Sequence, residues 1–405
     1  MFSRAKIIAI IFIAIFVYYF AFDYSLINIE KTALIVSLGV DKAQNEYEIT
    51  AQIALPEASN SKATNNESVI SAKGKTLYDA VSTLGEQTGW YPKLSFCNLI
   101  VLGNGMMQEN VMNVLDFFLR SYKVEDTTIL CASEGSAKEL LKSSSPLDNI
   151  SGLSLSKIFV RDYKDASRVL TSSIKTFSIG YYSRSQIGYV PIVKMVNTNE
   201  KGEGGKTSSA STLSEPNSGS NNKGGDQGGE QELVIYDASS CALFKKGIKV
   251  ATLQGDQTLC YSFINKGVNE AFFSIDSLDS QGRMGNLLLV AKRVDGNQRL
   301  IYENDLPVLN IDVTLWLKIQ DANIAETIEE ISKFGTLSEK NLYDAKTFVE
   351  NKLTEVFNVT KLAKCDFFEI KNSLYKYHHR KYEKEKNSIL ENLSLRLNVK
   401  CKNFI

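Results

Sequence analysis

Apolar and polar residues alternate along several stretches of the chain, and these stretches predict β-strands. Residues 32–40 form a nearly continuous apolar run. Residues 46–55 alternate with a period of two, through Tyr47, Ile49, Ala51, Ile53 and Leu55. A period of two is typical of a strand with one buried face. We therefore predict a hairpin with residues 41–45 as its loop.

A period near 3.6 follows the hairpin and predicts helices. Thr76 is a candidate N-cap with Asp79 three residues later, and the helix that it starts is predicted to end near Gly85. A second helix has a single apolar face, formed by Val111, Val114, Leu115 and Phe118. Ser136 and Glu139 have the spacing of a capping box before a short helix. This alternation indicates a mixed sheet covered by helices, with buried strands predicted over residues 94–102 and 127–132.

The second half of the chain has longer alternating strands. Gly247 lies between two short apolar runs and predicts a hairpin, because glycine accepts the positive φ that such turns require. Residues 309–319 alternate strictly, so one face of this strand is predicted to be buried and Trp316 to lie on the other. Strands are also predicted over residues 241–244, 248–253, 287–294 and 393–401, and helices over residues 342–357 and 367–391. The pattern indicates an α+β fold of mixed and antiparallel sheets covered by helices.

The first apolar stretch differs from these segments because charges flank it. Residues 7–22 follow Arg4 and Lys6 and precede Asp23. They predict an N-terminal membrane-anchor helix, with the N-terminus in the cytoplasm, because cytoplasmic flanks are enriched in Lys and Arg. The predicted anchor residues are Ile7, Ile11, Phe16, Tyr18, Tyr19 and Phe22. A cleaved signal peptide and a buried core helix are the alternatives, and the aromatic end of the run favours a retained anchor.

Composition divides the chain at one place. Residues 197–231 consist mainly of Gly, Ser, Asn, Lys and Glu and contain a single leucine. Such a segment buries too little apolar surface to offset its ordering entropy, so we predict a disordered linker or loop. The predicted organisation is an anchor at 1–27, an α/β domain at 28–196, the linker at 197–231 and an α+β region at 232–405. A division of the last region into 232–305 and 306–405 gives two or three domains in all.

Charge and metal-ligand residues narrow the function classes. The chain has 46 basic and 46 acidic residues, and a protein that coats nucleic acid needs a positive field, so we predict no nucleic-acid partner. The six cysteines are far apart, which predicts buried free thiols and no metal site. His378 and His379 are the only histidines. As neighbours on a helix they would point about 100° apart and could not bind one metal together.

The sequence has no recognisable catalytic grouping. It contains neither a G-x-S-x-G motif nor a Walker A motif, and we predict no catalytic, cofactor-binding or metal-binding residues. Candidates for contact with a partner protein are Trp316, on the polar face of its strand, and Tyr375 and Arg380, in a basic, tyrosine-rich segment. For Trp316, packing against a neighbouring helix is the favoured alternative.

A series of short motifs runs along nearly the whole chain. The first is the apolar strand that ends in Gly39, Val40, Asp41 and Lys42. Later segments follow in a fixed order at residues 94–103, 118–120, 132–141, 242–253, 364–368 and 393–400. The ordered series resembles the Ger(x)C family, the C subunits of spore germinant receptors. Gly39, Asp41 and Lys42 match the turn of that family's opening hairpin.

The resemblance implies a membrane-attached, non-enzymatic protein that faces outward from the spore inner membrane. Its implied partners are the integral membrane subunits of a nutrient receptor, and no cofactor is implied. Members of the family typically carry a lipid-bearing cysteine before Trp-Asp, whereas the corresponding residues here are Ala21, Phe22 and Asp23. Because no thiol is present to accept a diacylglyceryl group, the N-terminal helix itself is expected to contact membrane lipid.

Two other function classes stay open at this point. An exported solute-binding protein of a transporter would have two lobes around an aromatic or charged cleft, and the opening hairpin counts against it. An exported hydrolase would need paired carboxylates or a nucleophile beside a base. The acidic residues are too numerous for any pair to be singled out.

Overall fold

Two β-sheets with helices on their faces make up the fold in the computed structural model. The structure describes residues 11–18, 32–54, 67–121, 124–145, 150–160, 168–197, 234–264, 268, 270–278, 284–322 and 336–404. Residues 11–18 form helix α1, on which Ile11, Phe16 and Tyr18 are exposed. Of the other predicted features, Ile7, Tyr19, Phe22 and residues 198–231 lie outside the described residues. No helix in the described ranges is long and apolar enough to cross a membrane.

The first sheet has nine strands among the described residues. They are β1 (Thr32–Ala43), β2 (Glu46–Ala54), β3 (Glu67–Gly74), β4 (Tyr91–Lys93), β5 (Leu99–Leu102), β6 (Ile129–Ser133), β7 (Ile187–Asn197), β8 (Val234–Lys245) and β9 (Ile248–Leu253). The helices between them are α2 (Leu77–Thr88), α3 (Val111–Ser121), α4 (Ala137–Lys142), α5 (Ser151–Val160) and α6 (Ile174–Tyr182). Short 3-10 helices cover Leu94–Phe96 and Asn104–Gln108.

The second sheet has four strands and follows helix α7 (Gly255–Ser262). Its strands are β10 (Ala271–Leu278), β11 (Met284–Glu303), β12 (Leu306–Ala322) and β13 (Ser394–Asn403). The helices after β12 are α8 (Glu339–Leu362), α9 (Ile370–Tyr377), α10 (His379–Glu385) and α11 (Ile389–Asn392). Strand β13 pairs with β12 in parallel, while β10, β11 and β12 are antiparallel.

The first sheet is mixed, as the sequence pattern predicts. Its order is β3-β2-β1-β5-β6-β7-β8-β9, with β4 paired to the start of β1 beside this path. The centre from β1 to β7 is parallel, and antiparallel strands lie on both sides. Strands β7 and β8 pair across the predicted linker, where Asn197 is the partner of Val234. The predicted linker therefore joins neighbouring strands of one sheet, because β8 and β9 continue the first sheet before the second begins.

Local geometry moves several predicted boundaries. The first hairpin turns at Gln44 (φ 54°) and Asn45, so β1 continues through the predicted loop to Ala43. Helix α2 passes Gly85 and ends where Gly89 takes the left-handed conformation (φ 70°). The predicted strand over residues 94–102 begins with a 3-10 turn. The predicted hairpin at Gly247 is confirmed, since Lys246 and Gly247 both have positive φ.

The predicted helix over residues 367–391 is divided into three short helices. Helix α9 begins only after Glu369, whose φ of 52° is left-handed and cannot extend the helix backwards. His378 has φ −132° and ψ 46°, outside the helical region, and it separates α9 from α10. The break also places His378 beside Tyr302, with ring centroids 5.1 Å apart. The two histidines therefore do not share one continuous helix.

Three hydrophobic clusters hold the described residues together. Helices α2, α3 and α6 cover one face of the first sheet, and α4 and α5 cover the other. The largest cluster joins the β7–β9 end of the first sheet to α7, α8 and the inner face of the second sheet. The alternation predicted for β12 is confirmed, because Leu309, Ile311, Val313, Leu315, Leu317 and Ile319 all point into this cluster. The two sheets thus share one core.

The cysteines are free thiols, as predicted. Five are buried and Cys401 is half-buried. Burial raises the pKa of Cys97, Cys241 and Cys365 to about 12. Since the thiolate is the reactive form, these side chains behave as small apolar groups of the core.

Candidate functional site

The matching turn motif places Asp41 at the start of helix α4. The Asp41 carboxylate accepts the backbone N–H groups of Ala137 and Lys138, each at 2.9 Å, and the hydroxyl of Ser136 at 3.0 Å. Ser136 also accepts the N–H of Lys138, so the predicted capping box with Glu139 gives way to a cap from a distant strand. The carboxyl ends of parallel β1 and β6 meet at this edge, which brings the aspartate to the helix that follows β6.

Two glycines make room for this cap. A Cβ atom on Gly39 would lie 3.0 Å from Leu141 and 3.1 Å from Ala137, so α4 packs directly against the β1 backbone. A Cβ atom on Gly103 would lie 1.8 Å from the Asp41 carboxylate. Lys42 points elsewhere and pairs with Glu109 at 2.5 Å, and this hydrogen bond raises the lysine pKa. Gly39 and Asp41 of the motif therefore fix the packing of helix α4 against strand β1.

A second site joins the two sheets around a buried carboxylate. Asp366 is only 3% exposed and accepts the hydroxyl of Ser185 at 2.6 Å. It also accepts the N–H groups of Ile370 and Lys371 at 2.8 Å, at the start of α9. Ser185 lies just before β7 of the first sheet. Burial raises the pKa of Asp366 to about 6, although the three hydrogen bonds act in the opposite direction.

An aromatic layer lies beside this carboxylate. The ring of Phe367 stacks on Tyr261 with centroids 4.1 Å apart and meets Tyr189 edge-on at 6.0 Å. The Tyr261 hydroxyl donates to the Phe367 carbonyl at 3.1 Å. Burial raises the pKa of Tyr189 to about 12 and that of Tyr261 well above its usual value. These tyrosines therefore stay neutral and serve as packing groups with one satisfied polar end.

An open cleft of about 330 Å³ lies where α6 and the loop before β7 face α9 and α10. Its lining residues are Tyr182, Ser183, Arg184, Gln186, Lys371, Tyr382, Lys386 and Asn387. The Arg184 guanidinium lies over the rings of Tyr375 at 4.7 Å and Tyr382 at 6.0 Å, and the Arg184 backbone N–H donates to the side-chain oxygen of Asn372 at 2.9 Å. The cleft wall is therefore basic and aromatic and contains groups from both sides of the junction.

The three predicted partner-contact residues occupy different places. Tyr375 lies under the Arg184 guanidinium, next to the cleft and not among its lining residues, and Arg380 is exposed on α10. Trp316 lies on the outer face of the second sheet, where Arg293 and Lys402 lie 4.7 Å and 5.7 Å from its ring centroid. Among the described residues, the cations on its ring come from β11 and β13, and the packing of Trp316 against a helix stays a prediction.

Sequence reasoning missed the junction residues Asp366, Ser185 and Arg184. The available signal was an aspartate four residues before the first residue of a helix, a position from which a carboxylate can cap. Its partner Ser185 is 181 positions away in sequence, and no periodic pattern reports such a contact. In the described part of the chain, no group of three or more His, Cys, Asp or Glu residues could hold a metal ion.

The raised pKa of Asp366 predicts a pH-dependent contribution to stability. An unfolded aspartate releases its proton near pH 3.8, whereas the folded one holds it to about pH 6. Stability from this group is therefore present below about pH 4 and is lost as the pH rises through about 6, a change of about 3 kcal/mol. We expect the wild-type advantage over Asp366→Asn, measured by urea unfolding, to be larger at low pH than at neutral pH.

The companion variant Ser185→Ala tests the direction of this effect. It removes a hydrogen bond that lowers the Asp366 pKa, so the pH window should move upward. A difference between wild type and Asp366→Asn that stays constant with pH would show that the buried carboxylate is ionised throughout.

Comparison with known proteins finds two family models in chain order. Residues 25–195 match the spore germination protein N-terminal domain, and residues 239–402 match the spore germination B3/GerAC-like C-terminal domain. No curated protein matches the chain. Among solved structures, the chain is similar to one titled "Crystal Structure of the GerBC protein", with 17% identity, a TM-score of 0.49, and coverage of 91% of this chain and 97% of that chain.

Proposed function

The chain belongs to the spore germination family defined by these two domains, and from that premise we propose that it is a non-enzymatic, membrane-anchored subunit of a spore nutrient germinant receptor. Family membership confirms the Ger(x)C resemblance. Its proposed place is the outward face of the spore inner membrane, where it works through contacts with integral membrane subunits. Its role is then to bind the integral membrane subunits and to transmit the effect of these contacts.

The observation that carries this proposal is the junction between the two family domains. Asp366 from the second domain is buried against Ser185 from the first, and Phe367 packs on Tyr189 of β7. A buried, hydrogen-bonded carboxylate fixes the relative orientation of the groups around it. Such a junction supports a rigid subunit, in which a change at one domain is transmitted to the other.

The anchor is proposed from the N-terminal sequence. Residues 7–22 are apolar, and Ala21 stands where a lipid-bearing cysteine is typical of the resembled family. A single apolar helix with an aromatic end supports attachment to the bilayer without a covalent lipid. We further propose Tyr375 and Arg380, beside the cleft and on α10, as partner-facing residues, with Trp316 on the second sheet as a separate contact.

Co-purification from membranes of sporulating cells tests the proposal. The full chain should sediment with membranes and bring down multi-span receptor subunits. A version lacking residues 1–27 should be released, because it loses the apolar segment. The matched control is Ala21→Cys in the full chain, which should stay in the membrane whether or not the new thiol is lipidated.

Three outcomes would contradict parts of this proposal. A soluble full chain that begins after Phe22 would show a cleaved signal. A truncated chain that stays with membranes would show that contacts outside residues 1–27 carry the attachment. A membrane-bound chain without any multi-span partner would argue against a receptor subunit.

The alternative of an exported solute-binding protein draws support from the basic, aromatic cleft. Binding of a small solute to the isolated chain, lost in Arg184→Ala, would favour that alternative over a purely structural subunit.

A further inference from the structure

An exposed apolar surface lies beside the start of strand β1. We call it the edge patch and define it by Leu34, Trp90, Tyr91, Lys93 and Phe96. Strand β4 runs parallel to the start of β1, with Thr32 opposite Tyr91 and Leu34 opposite Lys93. Residues at matching or alternate positions of paired strands point to the same face. Leu34, Tyr91 and Lys93 therefore share one face.

The opposite face of the same strands is packed inward. Ala33 is 4% exposed, and Pro92, its partner, is half-buried and lies against α2 near Gly85. Inward packing of alternate residues fixes which way the edge patch points. Phe96 extends the patch sideways, because the Lys93 ammonium lies 5.5 Å from the centroid of its ring. Trp90 follows directly after Gly89, the residue that ends α2.

The exposure of these side chains is unusual for their size. Trp90 is 48% exposed, Tyr91 is 53%, Phe96 is 52% and Leu34 is 41%. Single exposed apolar residues are common on protein surfaces, but a contiguous group of large ones marks a place of contact. Tyr91, Phe96 and Leu34 around Lys93 form such a group, and Trp90 adjoins it as the neighbour of Tyr91 in the chain.

The chemistry of the edge patch fits the surface of a lipid bilayer. Trp and Tyr are enriched at the depth of the headgroups, where a ring has one apolar and one wet side. A lysine among them can bury its stem along the rings and hold its ammonium near anionic headgroups. A protein interface core would be depleted of lysine, so Lys93 favours lipid over a protein partner.

The length of the chain places the edge patch near the membrane. The apolar run ends at Phe22, and β1 begins at Thr32, ten residues later. Ten residues span at most about 35 Å even when fully extended. Since Thr32 is the direct partner of Tyr91, the point where the chain arrives from the anchor lies inside the patch.

We propose that the edge patch rests on the membrane, with its aromatic rings at headgroup level and Lys93 against anionic lipid. This contact is additional to the N-terminal helix and sets the orientation of the first sheet relative to the bilayer. This inference depends on the proposed membrane attachment of this chain. A single apolar segment would not fix the orientation of the first sheet relative to the bilayer. The edge patch adds the second contact that does.

The two tryptophans allow a direct test. Trp90 lies in the edge patch and Trp316 on the second sheet, so Trp316→Phe and Trp90→Phe each leave one reporter. Full-length protein is incorporated into vesicles of equal parts phosphatidylcholine and phosphatidylglycerol, with or without brominated acyl chains. We expect brominated lipid to quench Trp90 by about twofold or more and to leave Trp316 unchanged, because only headgroup-level rings reach the quencher. Lys93→Glu and Phe96→Ser, each in the Trp316→Phe background, should reduce the quenching while circular dichroism stays unchanged.

The outcomes separate this inference from the proposed function. If the chain does not float with the vesicles, the anchor proposal fails first and the edge patch loses its premise. If the chain floats and Trp90 is not quenched, the edge patch inference alone is overturned. It is also overturned if Trp90 becomes shielded from acrylamide only when integral membrane subunits are added, since the occupant is then a protein.

Discussion

Asp41→Ala is expected to lower the free energy of unfolding by about 3 to 4 kcal/mol, because one carboxylate holds the first turn of α4. The variant leaves the N–H group of Ala137 without its acceptor and that of Lys138 with only the Ser136 hydroxyl. Both groups lie at a partly buried helix start, where the lost bonds to a charged partner are not replaced in full by water. Urea unfolding followed by circular dichroism measures the loss.

A matched control and a double variant sharpen this test. Asp79→Ala removes another aspartate near a helix start, but its bond to the Lys75 N–H is exposed, so we expect a loss of about 1 kcal/mol or less. Gly103→Ala should destabilise the wild type, because its Cβ would lie 1.8 Å from the Asp41 carboxylate. The same change should be tolerated in the Asp41→Ala background. Equal costs in the two backgrounds would disprove the contact.

Phe367→Ala is expected to cost about 4 kcal/mol, because it empties the centre of the aromatic layer between the sheets. Phe367 is 1% exposed and stacks on Tyr261 at 4.1 Å. Its removal leaves a cavity that the rigid rings around it cannot fill. Tyr343→Ala, at a ring that is 65% exposed, should change stability by about 0.5 kcal/mol or less and serves as the control.

Tryptophan fluorescence adds a readout that a loss of stability alone would not change. Trp90 reports on the first sheet and Trp316 on the second, each in a single-tryptophan variant. Because one core cluster spans both sheets, we expect the two unfolding transitions to coincide in the parent chain. Phe367→Ala should separate them, with Trp316 changing at a different urea concentration. Coincident transitions in Phe367→Ala would show that the joint is held by other contacts.

Local patterns in the sequence predict the strands, helices and turns better than the contacts between them. The alternation along β12 identified its buried face, and the turn at Gly247 needed only its own residues. The apolar run of β1 ends at Val40, so the pattern predicts a loop at Asp41, although the strand pairing continues to Ala43. The contact of Asp41 with α4 depends on the order of β1, β5 and β6, which no single segment encodes.

The candidate site was predictable only in part for the same reason. The basic, aromatic surroundings of Tyr375 are visible in the sequence, but its cation partner Arg184 comes from the other domain. Asp366 belonged to a matching motif without any stated role, since its burial depends on Ser185 far away in sequence. The break at His378 was also hidden, because helix-forming residues stand on both sides of it.

The pairing of Asn197 with Val234 has a consequence for how this chain can vary. The polypeptide leaves the first sheet and returns to it at one point, whatever lies between these two residues. For the linker that the composition of residues 198–231 predicts, closure would cost only about 0.6 kcal/mol more for each doubling of its length. On that prediction, we expect insertions and deletions between Asn197 and Val234 to be nearly neutral for folding. The same position would then suit an epitope or a fluorescent domain that follows the protein in cells.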